Sequence, residues 1–342
     1  MTTTTNELAV EATGLVKTFG TVRAVDGIDL LVRPGEVFGV LGPNGAGKTT
    51  TLSMLATLLR IDGGSARIFG LDVHHEPHKV RQLIGLTGQY ASVDERLTAR
   101  ENLVLFARIH GQSRERARRT AGDLLDRFGL TDAGDRLLEK FSGGMRRRLD
   151  LAASLISSPP LIFLDEPTTG LDPRTRGQMW DTIRDLVRQG STILLTTQYL
   201  DEADQLADRI AVIDKGRKVA EGTSGELKAS VGRSTLAVRL ADPDDMDAAA
   251  RAVATVLGRT ASRTPEAARL TVPMERADDA AEVLIALRHA DISVHEVKVE
   301  EPTLDEVFLA LTGAPATDDA AADDPAAEAE RHEHLDQMEV SR

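Results

Sequence analysis

Cysteine is absent from the 342-residue chain. Disulfides, thiol nucleophiles and thiolate metal sites are therefore excluded. Aromatic residues make up 3%, with one Trp and two Tyr, so each aromatic position stands out, Phe19 among them. No apolar run approaches the ~18 residues that span a bilayer. The opening Met1-Thr-Thr-Thr-Thr-Asn6 lacks the basic and apolar regions of a signal peptide. The expected compartment is the cytoplasm, with any membrane role coming through a partner. A positive excess is missing too. The net charge of −13 argues against a general nucleic-acid binder, which needs a basic face. What remains, 41% apolar and 28% charged residues, suits a soluble globular protein long enough for two domains.

Against that background one stretch organises the chain. Phe38-Gly39-Val40-Leu41 reads as an apolar strand. Gly42-Pro43-Asn44-Gly45-Ala46-Gly47 is a glycine-rich turn, and Lys48-Thr49-Thr50 opens a helix. Gly42 with Gly47-Lys48-Thr49 fills the G-x-x-x-x-G-K-[ST] pattern of a P-loop. Such a loop closes backbone N–H groups around phosphate oxygens, and the helix N-terminus adds partial positive charge. Lys48 can reach the β- and γ-phosphates, and Thr49 can offer its hydroxyl to Mg²⁺.

Two more places complete a candidate site. Leu161-Ile162-Phe163-Leu164 reads as a strand buried on both faces, and it ends in Asp165-Glu166. Carboxylates at the C-terminal end of such a strand lie where ligands bind in parallel α/β sheets. Asp165 suits Mg²⁺ coordination, and Glu166 suits a base that orients an attacking water. Phe141-Ser142-Gly143-Gly144-Met145 opens a helix through Ile156, with Ser142 as N-cap; it reads either as a second anion-binding helix start or as a plain capped one.

The remaining elements follow from periodicity. Strands are expected over 8–12, 21–25, 28–32 and 36–41, with a turn at Lys17–Gly20. A helix is expected over 48–59, a breaker at Asp62–Ser65 and a strand over 66–70. A helix at 76–83 leads to a strand at 84–89. Residues 97–140 read as an Arg-rich helical insert with helices at 101–109 and 114–128. Its Arg114, Arg116, Arg118 and Arg119 fit a solvated face or contacts to an acidic partner. After Asp172-Pro173 comes a helix whose stripe is Met179, Trp180, Ile183, Leu186 and Val187. The strand at 191–197 delivers Gln198 to the same edge as Glu166. A short helix (200–207) and strands at 209–214 and 218–221 close the first domain near residue 230. Residues 233–313 read as a small α+β unit of split βαβ type, with strands at 234–240, 268–272 and 292–299. Its helices lie at 245–256 and 277–290, and a capped amphipathic helix at 302–311 ends it. Residues 314–342, acidic and poor in large apolar residues, read as disordered. Phe19 fits either a base-stacking ring or a core or turn residue.

In this order and spacing, the motifs resemble the ATP-binding subunit of ABC transporters over about residues 7–230. The resemblance implies an α/β P-loop NTPase fold with an antiparallel β subdomain and a helical subdomain at about 90–156. It implies ATP and Mg²⁺ as cofactors, with Gly42–Thr50 as the Walker A loop. Gln89 becomes the Q-loop glutamine and Ser142-Gly143-Gly144 the signature. Asp165 and Glu166 become the Walker B aspartate and catalytic glutamate, Asp172 part of the D-loop, and Phe19 the ring that stacks on adenine. It also implies a head-to-tail homodimer and a separate membrane permease, placing the chain at the cytoplasmic face of the membrane. Two positions depart from the pattern. Met145 stands where Gln is usual, and Gln198 replaces the switch histidine, giving a hydrogen bond without positive charge. Around Leu86–Tyr90, Gly144–Ala152, Leu195–Asp204 and Glu301–Asp305 the chain is similar to ATPases of the daunorubicin-resistance type of drug exporter. That implies efflux of a drug-like compound. The alternatives are lipid export or import, and an ABC ATPase acting on nucleic acid or ribosomes.

Overall fold

The computed structural model describes residues 8–87, 93–231, 234–274, 276, 278–300 and 302–313. The chain opens on a hairpin, β1 (Val10–Phe19) and β2 (Val22–Val32). The expected turn at Lys17–Gly20 moves to Gly20-Thr21, and the two strands expected at 21–25 and 28–32 are one. Register shifts between Ala12 and Thr18 mark bulges. A bulge breaks the two-residue alternation from which strands are read. Next come β3 (Val37–Leu41) and α1 (Lys48–Leu55), a helix four residues shorter than expected. Thr57 then adopts φ 63, a left-handed conformation no helix continues through. The strand β4 (Gly63–Ile68) begins inside the expected breaker because Gly63 and Ser65 pair with β1. With β5 (Leu71–Asp72), unforeseen, it completes an antiparallel sheet of order β2-β1-β4-β5.

A second sheet carries the site. After α2 (Pro77–Leu83) comes β6 (Ile84–Thr87). The helical insert holds α3 (Ala99–Ile109) and α4 (Arg114–Arg127), each with a hydroxyl N-cap, Thr98 and Ser113. Arg114, Arg116, Arg118 and Arg119 are all exposed, and Arg119 pairs with Glu115 one turn before it. Then follow α5 (Gly143–Ser154), β7 (Leu161–Asp165), α6 (Pro173–Arg188), β8 (Thr192–Thr197) and α7 (Leu200–Leu206). The antiparallel pair β9 (Arg209–Asp214) and β10 (Arg217–Gly222) follows. The order is β10-β9-β3-β8-β7-β6, with β9, β3, β8, β7 and β6 parallel. Both faces are covered, which is why β3, β7 and β8 read as unbroken apolar runs. On one face Phe38, Val40, Phe163 and Leu194 pack with α1 and the antiparallel sheet. On the other, Ile162, Leu164, Ile193 and Leu195 join Leu149, Met179 and Ile183 and the core of the helical insert.

An unforeseen helix, α8 (Ser224–Val231), precedes the C-terminal unit. That unit comprises β11 (Thr235–Leu240), α9 (Met246–Leu257), β12 (Ser262–Thr264), β13 (Arg269–Pro273), α10 (Asp279–His289) and β14 (Val294–Glu300). Its order, β12-β13-β11-β14 with every pair antiparallel, is the split βαβ arrangement. The final helix α11 (Leu304–Thr312) carries a Thr303–Glu306 capping box. Its Leu304, Val307 and Phe308 bury against Leu41, Leu200, Val212 and Leu227. The last helix therefore returns to the first body instead of the sheet that precedes it. The expected disordered tail, 314–342, lies outside the described residues.

Candidate nucleotide site

The order β3-β8-β7 sets three strand ends side by side: the Gly42–Gly47 loop after β3, Gln198 after β8 and Glu166 after β7. Gly42 N donates to Thr197 O at 3.2 Å, fixing the loop to its neighbour strand. Gly47 must be glycine. Its φ is 100°, and a Cβ there would stand 2.4 Å from Ala24 O. It is also the N-cap of α1 and offers no side-chain cap. The first N–H groups of that helix are left to an anion. Asn44, Gly45 and Thr49 are exposed, Pro43 and Thr50 half-buried, and Ala46 buried.

Lys48 ties the loop to the strand end. Its Nζ donates to Gly42 O at 2.8 Å and Pro43 O at 3.0 Å, and lies 3.3 Å from Glu166 Oε1. Burial pushes the Lys48 ammonium below its ordinary pKa, while Glu166 and Asp165 oppose that shift. Thr49 Oγ1 donates to Asp165 Oδ1 at 3.0 Å. A hydroxyl and a carboxylate oxygen in contact form a hard-oxygen pair of the kind that suits Mg²⁺ alongside phosphate oxygens. No group of three His, Asp or Glu gathers for a metal among the described residues.

Glu166 is buried and holds φ 47°, a left-handed conformation uncommon outside glycine. Thr196 organises this corner. Its Oγ1 donates to Asp165 Oδ1 at 2.5 Å and accepts Glu166 N at 3.2 Å. Glu202 lies just behind, fully buried, accepting Trp180 Nε1 at 3.3 Å. Burial drives its carboxyl above the ordinary range. The sequence signal for either residue was faint: one threonine in a strand, one acid in an amphipathic helix. Trp180 itself is half-buried, with Arg176 6.0 Å over its ring. The buried stripe of α6 is Met179, Ile183 and Leu186; Trp180 and Val187 flank it.

The signature segment sits elsewhere. Ser142 and Gly143 are exposed, and Ser142 Oγ caps α5 by accepting Met145 N at 3.3 Å. Gly144 is glycine for packing: a Cβ there would stand 2.4 Å from Thr175 Cγ2. Thr175 is in turn held by Asp172, which accepts its N at 3.0 Å and its Oγ1 at 2.6 Å. The Thr175 hydroxyl and then its N–H pull the Asp172 carboxyl below the usual range. So Ser142, Gly143 and Asp172 form one exposed corner, with half-buried Gly144 packed behind them. Phe19, 42% exposed at the hairpin tip, has Lys17 Nζ 5.4 Å from its ring centroid. Gln198 is half-buried, and Gln89 lies outside the described residues.

Comparison with known proteins puts these elements in a family. The model described as "ABC transporter" matches residues 25–169, and that described as "ATP-binding protein DrrA1-3-like, C-terminal domain" matches 222–312. The daunorubicin/doxorubicin resistance ATP-binding protein DrrA of Streptomyces peucetius is 57% identical over 310 residues, 91% of this chain and 94% of that protein. The doxorubicin resistance ATP-binding protein DrrA of Mycobacterium tuberculosis is 46% identical over 318 residues, covering 91% and 95%. Among solved structures, a dimeric ATP-binding cassette in a post-hydrolysis state with ADP and Pi matches at TM-score 0.59 and 26% identity, over 63% of this chain and 98% of that one.

Proposed function

The chain belongs to the ABC transporter ATP-binding proteins, and on that premise we propose that it is the ATP-hydrolysing subunit of an exporter. It powers efflux of a drug-like or hydrophobic compound through a separate membrane subunit, acting from the cytoplasmic face. The names of the DrrA relatives and the family match over 222–312 support the drug-export reading. No described helix is long and apolar enough to cross a membrane, and the transport path is assigned to that second subunit. The observation that carries the proposal is the bonding of loop to strand end: Lys48 with Glu166, and Thr49 with Asp165.

Each residue then has a task. The N–H groups of Gly42–Thr50 cradle the phosphates, and Lys48 exchanges its loop carbonyls for β- and γ-phosphate oxygens. Thr49 and Asp165, with Gln89, would hold Mg²⁺, which neutralises phosphate charge. Glu166 accepts a hydrogen bond from the attacking water and orients it. Gln198 donates its amide to the γ-phosphate without adding charge. Phe19 offers the ring face away from Lys17 to adenine. Ser142, Gly143 and Gly144, with Asp172, close the site of a second copy in a head-to-tail homodimer. Their exposure supports that reading: a helix start aimed at solvent grips a phosphate brought by another chain.

Glu166→Gln tests the assignment. It keeps ATP binding and lowers turnover by about 10²–10⁴-fold, the range for a lost general base. Turnover at the parental rate would remove Glu166 from the mechanism.

A further inference from the structure

Three consecutive arginines follow Met145 on α5, and successive residues of a helix point about 100° apart. Arg146 pairs with Glu95 on the exposed side. Arg148 Nη1 donates to Phe128 O at 3.1 Å, at the end of α4. Arg147 turns to the strand end of the nucleotide site. Its Nη2 donates to Asp165 O at 2.5 Å and Glu166 O at 2.8 Å, and its Nε to Pro167 O at 3.2 Å. Three successive backbone carbonyls thus converge on one guanidinium.

An extended chain cannot present its carbonyls that way, because they alternate in direction. The chain must turn, and it turns at Glu166, at φ 47°. That conformation persists only where the surroundings impose it. The planar fork of arginine supplies several donors in fixed geometry; the point charge of lysine does not. Burial disfavours the charge on Arg147, and Asp150, Asp165, Glu202 and Glu166 offset that cost.

We infer that Arg147 is a positioning residue. It holds the backbone of Glu166 in the left-handed turn from which the carboxylate faces Lys48, so the signature helix supports the catalytic carboxylate of its own chain. The inference rests on the reading of Glu166 as the group that orients water. It adds a link between the two ends of the site. The helix whose start meets the partner's nucleotide is the helix that aims Glu166.

The test is steady-state ATPase kinetics of full-length Arg147→Met and Arg147→Lys, with the affinity of each for a fluorescent ATP analogue. Arg147→Met should lower kcat between about ten- and a hundredfold, the effect of a small misplacement. KM and nucleotide affinity should stay within about twofold. Arg147→Lys should fall between the two, keeping charge but not the fork. If the Met variant does not fold, the Lys variant decides by the same split. A kcat within about twofold of the parent overturns the inference. So does a parallel loss of nucleotide affinity and kcat in a chain with the parental melting curve. Glu166→Gln run alongside separates the two claims. Parental turnover there defeats the reading of Glu166; an inactive Glu166→Gln beside fully active Arg147 variants defeats only the positioning role.

Discussion

The P-loop with its strand end, and the signature corner, are built in opposite ways. At the first, Lys48, Asp165 and Glu166 are 3%, 4% and 8% exposed; Lys48 pairs with Glu166, and Asp165 accepts from Thr49 and Thr196. At the second, Ser142, Gly143 and Asp172 stand in solvent, and their bonds serve only the local caps of α5 and α6. Both ends present helix N-termini, and both leave residues of that helix start exposed, Gly45 and Thr49 at the first and Ser142 and Gly143 at the second; only the first is backed by buried Lys48, Asp165 and Glu166 of its own chain. The contrast teaches that the charged side chains behind a phosphate-binding helix start, more than its exposure, tell the two ends apart.

The largest effect expected on this contrast comes from the enclosed side. Lys48→Ala removes the charge that joins loop to strand end. ATPase activity should fall about 10²–10³-fold, with nucleotide affinity lost alongside. Filter binding and a phosphate-release assay check this, and near-parental hydrolysis would break the P-loop assignment.

Thr196→Val is milder. It removes the hydroxyl that bonds Asp165 and receives Glu166 N. Turnover should drop about tenfold, with stability down by about 1–2 kcal/mol for the unpaired buried groups. Denaturant melts and kinetics on one preparation would show both; an unchanged rate would mean that Asp165 keeps its orientation without Thr196.

Glu202→Gln has the smallest effect and is read through pH. Burial raises the Glu202 pKa in the fold. Its contribution is fully present below the unfolded value and is lost as pH rises through the folded one. Gln stays neutral and escapes that loss. The variant should match the parent at about pH 3.5, below the ordinary Glu range, and exceed it at about pH 8. Urea melts at the two pH values measure this, and an equal difference at both would show that Glu202 does not titrate on unfolding.

Much of this arrangement was legible in the residues. Glycine spacing, an apolar run ending in Asp165-Glu166 and a serine before two glycines each leave a local signature, because each depends on neighbours in sequence. The strands of the hairpin were misread where bulges break alternation, and β5 and β12 were too short to carry a pattern. Arg147 and Thr196 were missed for a different reason. Their partners lie 18–20 and 30–31 residues away, so their roles exist only once α5, β7 and β8 are side by side. The return of α11 to the first body was hidden in the same way. Its amphipathic face was visible; the surface that it covers was not.

The central claim is that the open corner belongs to the site of a second chain, and sedimentation velocity tests it most directly. Glu166→Gln with ATP and Mg²⁺ should sediment as a dimer. Adding Gly143→Asp, where nothing lies within 4 Å of a new Cβ, places a carboxylate against the incoming phosphate. The double variant should bind ATP as the single one does and remain a monomer. A Glu166→Gln chain that stays monomeric with ATP bound, or a double variant that still forms the dimer, would contradict the account.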